Sequence, residues 1–108
     1  MLEIERSIFL YQDSNSNGMN LRKKIIYIGN VQGVAFRWNT NDVITKFNVT
    51  GYVKNLPNGT VELLLEGEKN ELENANKAVD ERMRGYWTKR ESDFLPGEPH
   101  WYNFRIHY

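Results

Sequence analysis

The chain has 108 residues, 40% hydrophobic, 13% aromatic and 26% charged, which suits one compact soluble domain and excludes a disordered or fibrous protein. Fourteen Lys plus Arg balance fourteen Asp plus Glu, so no overall field draws the molecule to nucleic acid or an anionic membrane, and any anion site has to be local. The absence of cysteine excludes disulfides, thiolate metal sites and a cysteine nucleophile, and fits a reducing compartment.

Ile8 to Tyr11, the longest apolar run near the N-terminus, is too short to cross a bilayer and follows no signal region, so a cytoplasmic location without membrane contact is expected. Asp13 to Gly18 reads DSNSNG, a polar run with nothing to bury and therefore a linker. Residues 1–18 are thus expected to be an extension, flexible or a tag, and residues 19–108 the domain.

Lys24 to Ile28 is β-branched and aromatic and runs into Gly29, a strand entering a tight loop. Thr40, Val43, Ile44 and Phe47 recur at helical spacing, and Asn48 follows where a left-handed C-terminal cap is wanted. Gly51 to Asn55 and Thr60 to Glu66 read as strands, although Leu64 interrupts the polar face of the second. Between them Leu56-Pro57-Asn58-Gly59 is a hairpin turn. The glycosylation-like triplets Asn48-Val49-Thr50 and Asn58-Gly59-Thr60 are read as turn chemistry, since no secretion signal accompanies them.

Glu71 to Arg84 places Leu72, Ala75, Val79 and Met83 on one stripe and ends at Gly85, a second amphipathic helix. Glu66, Glu68, Glu71 and Glu73 read as its solvated, dipole-compatible start. Tyr86 to Glu91 is a weaker strand, Ser92 to Pro99 a loop, and Trp101 to His107 alternates as a closing strand. The order β-α-β-β-α-β packs most simply as an α+β ferredoxin-like sandwich, one four-stranded antiparallel sheet with both helices on one face.

Gly29-Asn30-Val31-Gln32-Gly33-Val34-Ala35-Phe36-Arg37 lies between a strand and a helix start. Two glycines among small residues let backbone N–H groups converge, and the helix N-terminus adds unpaired donors, so the loop is a candidate anion cradle. Arg37 falls in the first helical turn, where a cation is disfavoured unless it meets an anion, and its planar fork suits phosphate.

This segment resembles the first signature of the acylphosphatase family, G-x-V-Q-G-V-x-F-R. The second signature is matched by Gly51-Tyr52-Val53-Lys54-Asn55, three residues, Gly59-Thr60-Val61, five residues and Gly67. With the helices and Phe104-Arg105-Ile106, the resemblance extends from Leu21 to His107. It implies hydrolysis of the carboxyl-phosphate bond of acyl phosphates to a carboxylate and inorganic phosphate. Arg37 and the backbone of Gln32, Gly33, Val34, Ala35 and Phe36 would hold the phosphoryl group, Asn55 would orient the attacking water, and Thr40 would support the loop. The resemblance implies no metal and no cofactor; the expected partners are an acyl phosphate and inorganic phosphate, as product and inhibitor, for a monomer.

Two positions depart from the family pattern. Asn30 stands where a basic residue is usual, and Trp38 replaces a polar or small residue and falls off the apolar stripe, reading either as an exposed packing side chain or as the mouth of a site. His100 and His107 have no ligand-spaced partner, so a metal site is not expected. An RNA-recognition sheet would carry aromatics where Thr60 to Glu66 reads TVELLLE. The alternative to catalysis is a non-catalytic acylphosphatase-like module that binds phosphate or a phosphorylated partner.

Overall fold

The computed structural model describes residues 19–108; the expected extension over residues 1–18 lies outside the described residues. Five strands and two helices follow one another as β1 (Asn20–Gly29), α1 (Phe36–Ile44), β2 (Thr50–Asn55), β3 (Val61–Glu68), α2 (Lys69–Arg82), β4 (Trp87–Leu95) and β5 (Phe104–His107). The sheet order is β4-β1-β3-β2-β5. β1 pairs antiparallel with β3 and β4, and β2 antiparallel with β3, whereas β5 lies parallel to β2.

The sheet is therefore five-stranded and mixed rather than four-stranded and antiparallel. Both the strand at 87–95 and the closing strand join the sheet, the latter at the far edge, where it pairs Gly51 with Phe104 and Val53 with Ile106. β4 also runs on to Leu95, through Ser92, Asp93 and Phe94 that were expected in a loop, because β1 extends far enough to offer Arg22, Lys23 and Lys24 as ladder partners.

Alternation sets the core. Ile25 and Tyr27 of β1, Val53 of β2 and Val61, Leu63 and Leu65 of β3 meet Phe36, Val43 and Ile44 of α1 and Leu72, Ala75 and Val79 of α2 in one buried cluster. Truncating a fully buried member such as Leu63 to alanine should cost about 2–5 kcal/mol. Tyr27 keeps its hydroxyl satisfied inside, donating to Asp80 at 2.7 Å and accepting from Asn76 at 3.2 Å. Gly51 adopts φ +134°, and a Cβ there would stand 1.9 Å from the Leu64 carbonyl oxygen, so only glycine lets β2 and β3 approach this closely.

Asn48 does not cap a helix. α1 ends at Ile44 with Thr45 as a right-handed cap, and Asn48 instead donates its N–H to Glu71 at 2.8 Å. Phe47 still packs against the core, one turn beyond the helix. The hairpin turn forms as expected: the Gly59 N–H donates to the Leu56 carbonyl at 3.1 Å, and the Asn58 amide oxygen accepts from the Thr60 N–H and hydroxyl.

The glutamates divide. Glu68 caps α2 by accepting from the Glu71 N–H, and Glu73 pairs with Lys23 at 2.8 Å. Glu66 is not solvated: it is buried on the sheet face away from the helices, where Arg22 donates to it at 2.7 Å and the His100 and Trp101 N–H groups at 2.7 and 2.8 Å. Those amides need an acceptor as the 96–103 segment crosses that face toward β5. No helix among the described residues is long and apolar enough to cross a membrane.

Candidate active site

β1 delivers the chain at Gly29 into the loop that leads to α1. Gly33 at φ +80° and Ala35 at φ +59° lie either side of Val34, and Ala35 is the lone non-glycine among the described residues with positive φ. A left-handed alanine costs on the order of 1–3 kcal/mol, strain characteristic of a backbone shaped for a ligand. Ala35 is also the N-cap of α1, with no side-chain cap and no acidic residue in the first turn. The leading N–H groups of α1 thus lack the partner that usually closes a helix start and are suited to an anion.

Arg37, the second residue of α1, is half-buried. It donates to the His107 carbonyl at 3.2 Å and stacks over the Tyr108 ring with Cζ 4.8 Å from the centroid. Among the described residues it has no carboxylate partner, so the rest of its fork remains available. Asn55, the last residue of β2, has no hydrogen-bond partner for its side-chain amide among the described residues.

Arg37 and Asn55 line one pocket of about 190 Å³, together with Gly33, Ala35, Phe36, Val31, Trp38, Ile106 and Tyr108. The tertiary fold brings together a loop after β1, the end of β2 and the C-terminal end of β5.

Not every residue expected in the cradle faces it. Gln32 and Val34 do not line the pocket. The Gln32 side chain instead donates to the Leu56 and Thr60 carbonyls, both at 2.8 Å, fastening the loop to the hairpin beside Asn55. Val34 packs against the core. Thr40 is fully buried one turn beyond Phe36, its hydroxyl has no partner, and it too stands off the pocket lining.

Sequence reasoning missed Val31, Ile106, Tyr108 and the His107 carbonyl. The alternation of Phe104 to His107 hinted that Ile106 faces inward, but nothing local indicated which strand it would join. Trp38 combines both readings open to it, being 60% exposed and part of the pocket lining. His100 and His107 flank the Trp101 ring at 5.3 and 5.1 Å. No three His, Cys, Asp or Glu residues among the described ones form a group able to hold a metal ion.

The α+β sandwich thus joins, in one pocket, a helix start without a side-chain cap, a loop with a left-handed alanine and an arginine with no carboxylate partner among the described residues, the features of a candidate anion site. The family model Acylphosphatase matches residues 23–92, and the chain belongs to that family. It is 48% identical over 54 residues to an acylphosphatase of Geotalea uraniireducens, an alignment covering 50% of this chain and 59% of the relative. A Methanospirillum hungatei acylphosphatase is 39% identical over 64 residues, 59% of this chain and 70% of the relative. The aligned stretch therefore spans under two thirds of the first of these proteins. The crystal structure of acylphosphatase from Bacillus subtilis superimposes with a TM-score of 0.74 at 32% identity, over 82% of this chain and 99% of that one.

Proposed function

We propose that this protein is an acylphosphatase that hydrolyses the carboxyl-phosphate bond of acyl phosphates. The observation that carries this reading is the meeting of Arg37 and Asn55, both with unused hydrogen-bonding groups, in one pocket at an uncapped helix start.

In this reading the phosphoryl oxygens sit against the backbone N–H groups of the loop and α1, with the Arg37 guanidinium neutralising their charge as it grows in the transition state. The His107 carbonyl and the Tyr108 ring hold that guanidinium in place. The Asn55 amide accepts a hydrogen bond from the attacking water and donates one to a phosphoryl oxygen, aligning water and phosphorus. The water oxygen bonds to phosphorus, the bond from phosphorus to the acyl oxygen breaks, and its electron pair leaves with the carboxylate. A phosphate oxygen takes the water's proton, so no protein base is required. We read the enzyme as a cytoplasmic monomer working without metal or cofactor.

Hydrolysis of benzoyl phosphate followed in the ultraviolet, with and without a chelator, tests this. Turnover unaffected by chelation is expected. Phosphate binding without turnover would make the chain a non-catalytic module, and chelator-sensitive turnover restored by a divalent ion would overturn the metal-free mechanism.

A further inference from the structure

The pocket lining combines two chemistries: Gly33, Ala35 and Arg37 offer backbone and guanidinium donors, while Trp38, Ile106 and Tyr108 add aromatic and apolar surface, with the Tyr108 ring against the Arg37 guanidinium. Trp38 follows Arg37 directly on α1 and is 60% exposed, so solvent and ligand can both reach it. Tyr108 is 97% exposed, and its ring centroid lies 4.8 Å from the Arg37 guanidinium carbon. Among the described residues lining the pocket, Arg37 carries the one charged side chain. A phosphoryl group occupies that charge. A second anionic group on the acyl side would then face aromatic rings, whose faces are electronegative, with no cation to meet it.

We propose that Trp38 determines substrate specificity: with Tyr108 it forms the acyl side of the pocket and selects acyl phosphates with an uncharged aryl or short apolar acyl group over those whose acyl group bears a further negative charge. This rests on the acyl phosphate reading above. An aryl ring stacked against Trp38 gains contact that acetyl cannot make, and a single aromatic pair is worth up to about tenfold in affinity.

The test compares kcat/KM for benzoyl, acetyl and succinyl phosphate in the wild type, Trp38→Ala and Trp38→Phe, with calorimetric binding of unreactive benzoylphosphonate and acetylphosphonate. The wild type should prefer benzoyl to succinyl phosphate, Trp38→Ala should lower that ratio about tenfold, and Trp38→Phe should restore most of it. Because Trp38 is mostly exposed, the variants should fold, which equal far-UV spectra would verify. An unchanged benzoyl-to-succinyl ratio in Trp38→Ala overturns the proposal. If no acyl phosphate is hydrolysed but benzoylphosphonate binds and is weakened by Trp38→Ala, the catalytic reading falls while recognition by Trp38 stands. Absence of both turnover and phosphonate binding overturns both.

Discussion

The Gln32 side-chain amide donates a 2.8 Å hydrogen bond to the Leu56 carbonyl, joining the loop that precedes Arg37 to the residue that follows Asn55. A second bond of the same length from that nitrogen reaches Thr60, across the hairpin turn. The two groups assigned to phosphate and to water are thus held in one frame by a side chain that does not line the pocket.

Replacing Gln32 by leucine leaves both carbonyls without this donor, at a cost of about 1–3 kcal/mol. Small displacements of positioned groups cost up to about a hundredfold in rate, so kcat should fall by about ten- to a hundredfold in a variant that still folds. Thermal unfolding and steady-state kinetics together check this; a destabilised variant with wild-type kcat would limit Gln32 to a structural role.

Arg37→Ala should abolish measurable turnover and weaken competitive inhibition by inorganic phosphate, because the same guanidinium meets ground and transition states. Two charge-assisted hydrogen bonds amount to roughly 3–6 kcal/mol if they add. Arg37→Lys should recover little, since a single ammonium cannot reproduce the fork that reaches both phosphate and the His107 carbonyl. Near-normal phosphate inhibition in the alanine variant would move the cradle elsewhere.

Asn55→Ala should behave differently. In the proposed mechanism its amide positions the water and meets the phosphoryl oxygen mainly in the transition state, so kcat should drop by about 10² to 10³ while phosphate inhibits almost as before. Parallel loss of phosphate inhibition would make Asn55 a phosphate ligand, and an unchanged kcat would remove it from the mechanism.

Glu66 predicts a pH dependence of stability. Burial pushes its carboxyl upward, but the Trp101 N–H, the Arg22 guanidinium and the His100 N–H outweigh this and hold it below the ordinary glutamate value. A carboxyl lowered by folding contributes its full stability above the unfolded value near about 4.3 and loses it as pH falls through the folded value. Glu66→Gln should be less stable at pH 7, and the gap to the wild type should close below about pH 4. Thermal midpoints across that range check this; parallel curves would show that the carboxylate is not the source.

Much of the fold was legible because it is written in local periods. The stripes of both helices, the alternation of β3 and the Asn58-Gly59 turn each follow from residues a few positions apart. The candidate site was legible to the same depth: Arg37, Asn55, Gly33, Ala35 and Phe36 lie on two contiguous motifs and converge in one pocket. Glu66 was misread since a glutamate near a helix start is ordinarily solvated; its burial depends on amides 34 and 35 residues away.

The sequence by itself determined the helices, the hairpin and the two motifs, because backbone geometry and amphipathic spacing act over a single turn or strand. Only the tertiary structure decided that β5 runs parallel to β2 at the sheet edge, since pairing between distant segments depends on which edge remains open once β4 has taken its place beside β1. That choice brings the His107 carbonyl and the Tyr108 ring to Arg37 and completes the pocket beside Trp38. A carbonyl or an aromatic ring acquires such a role through its position in space, and no spacing within its own segment encodes it.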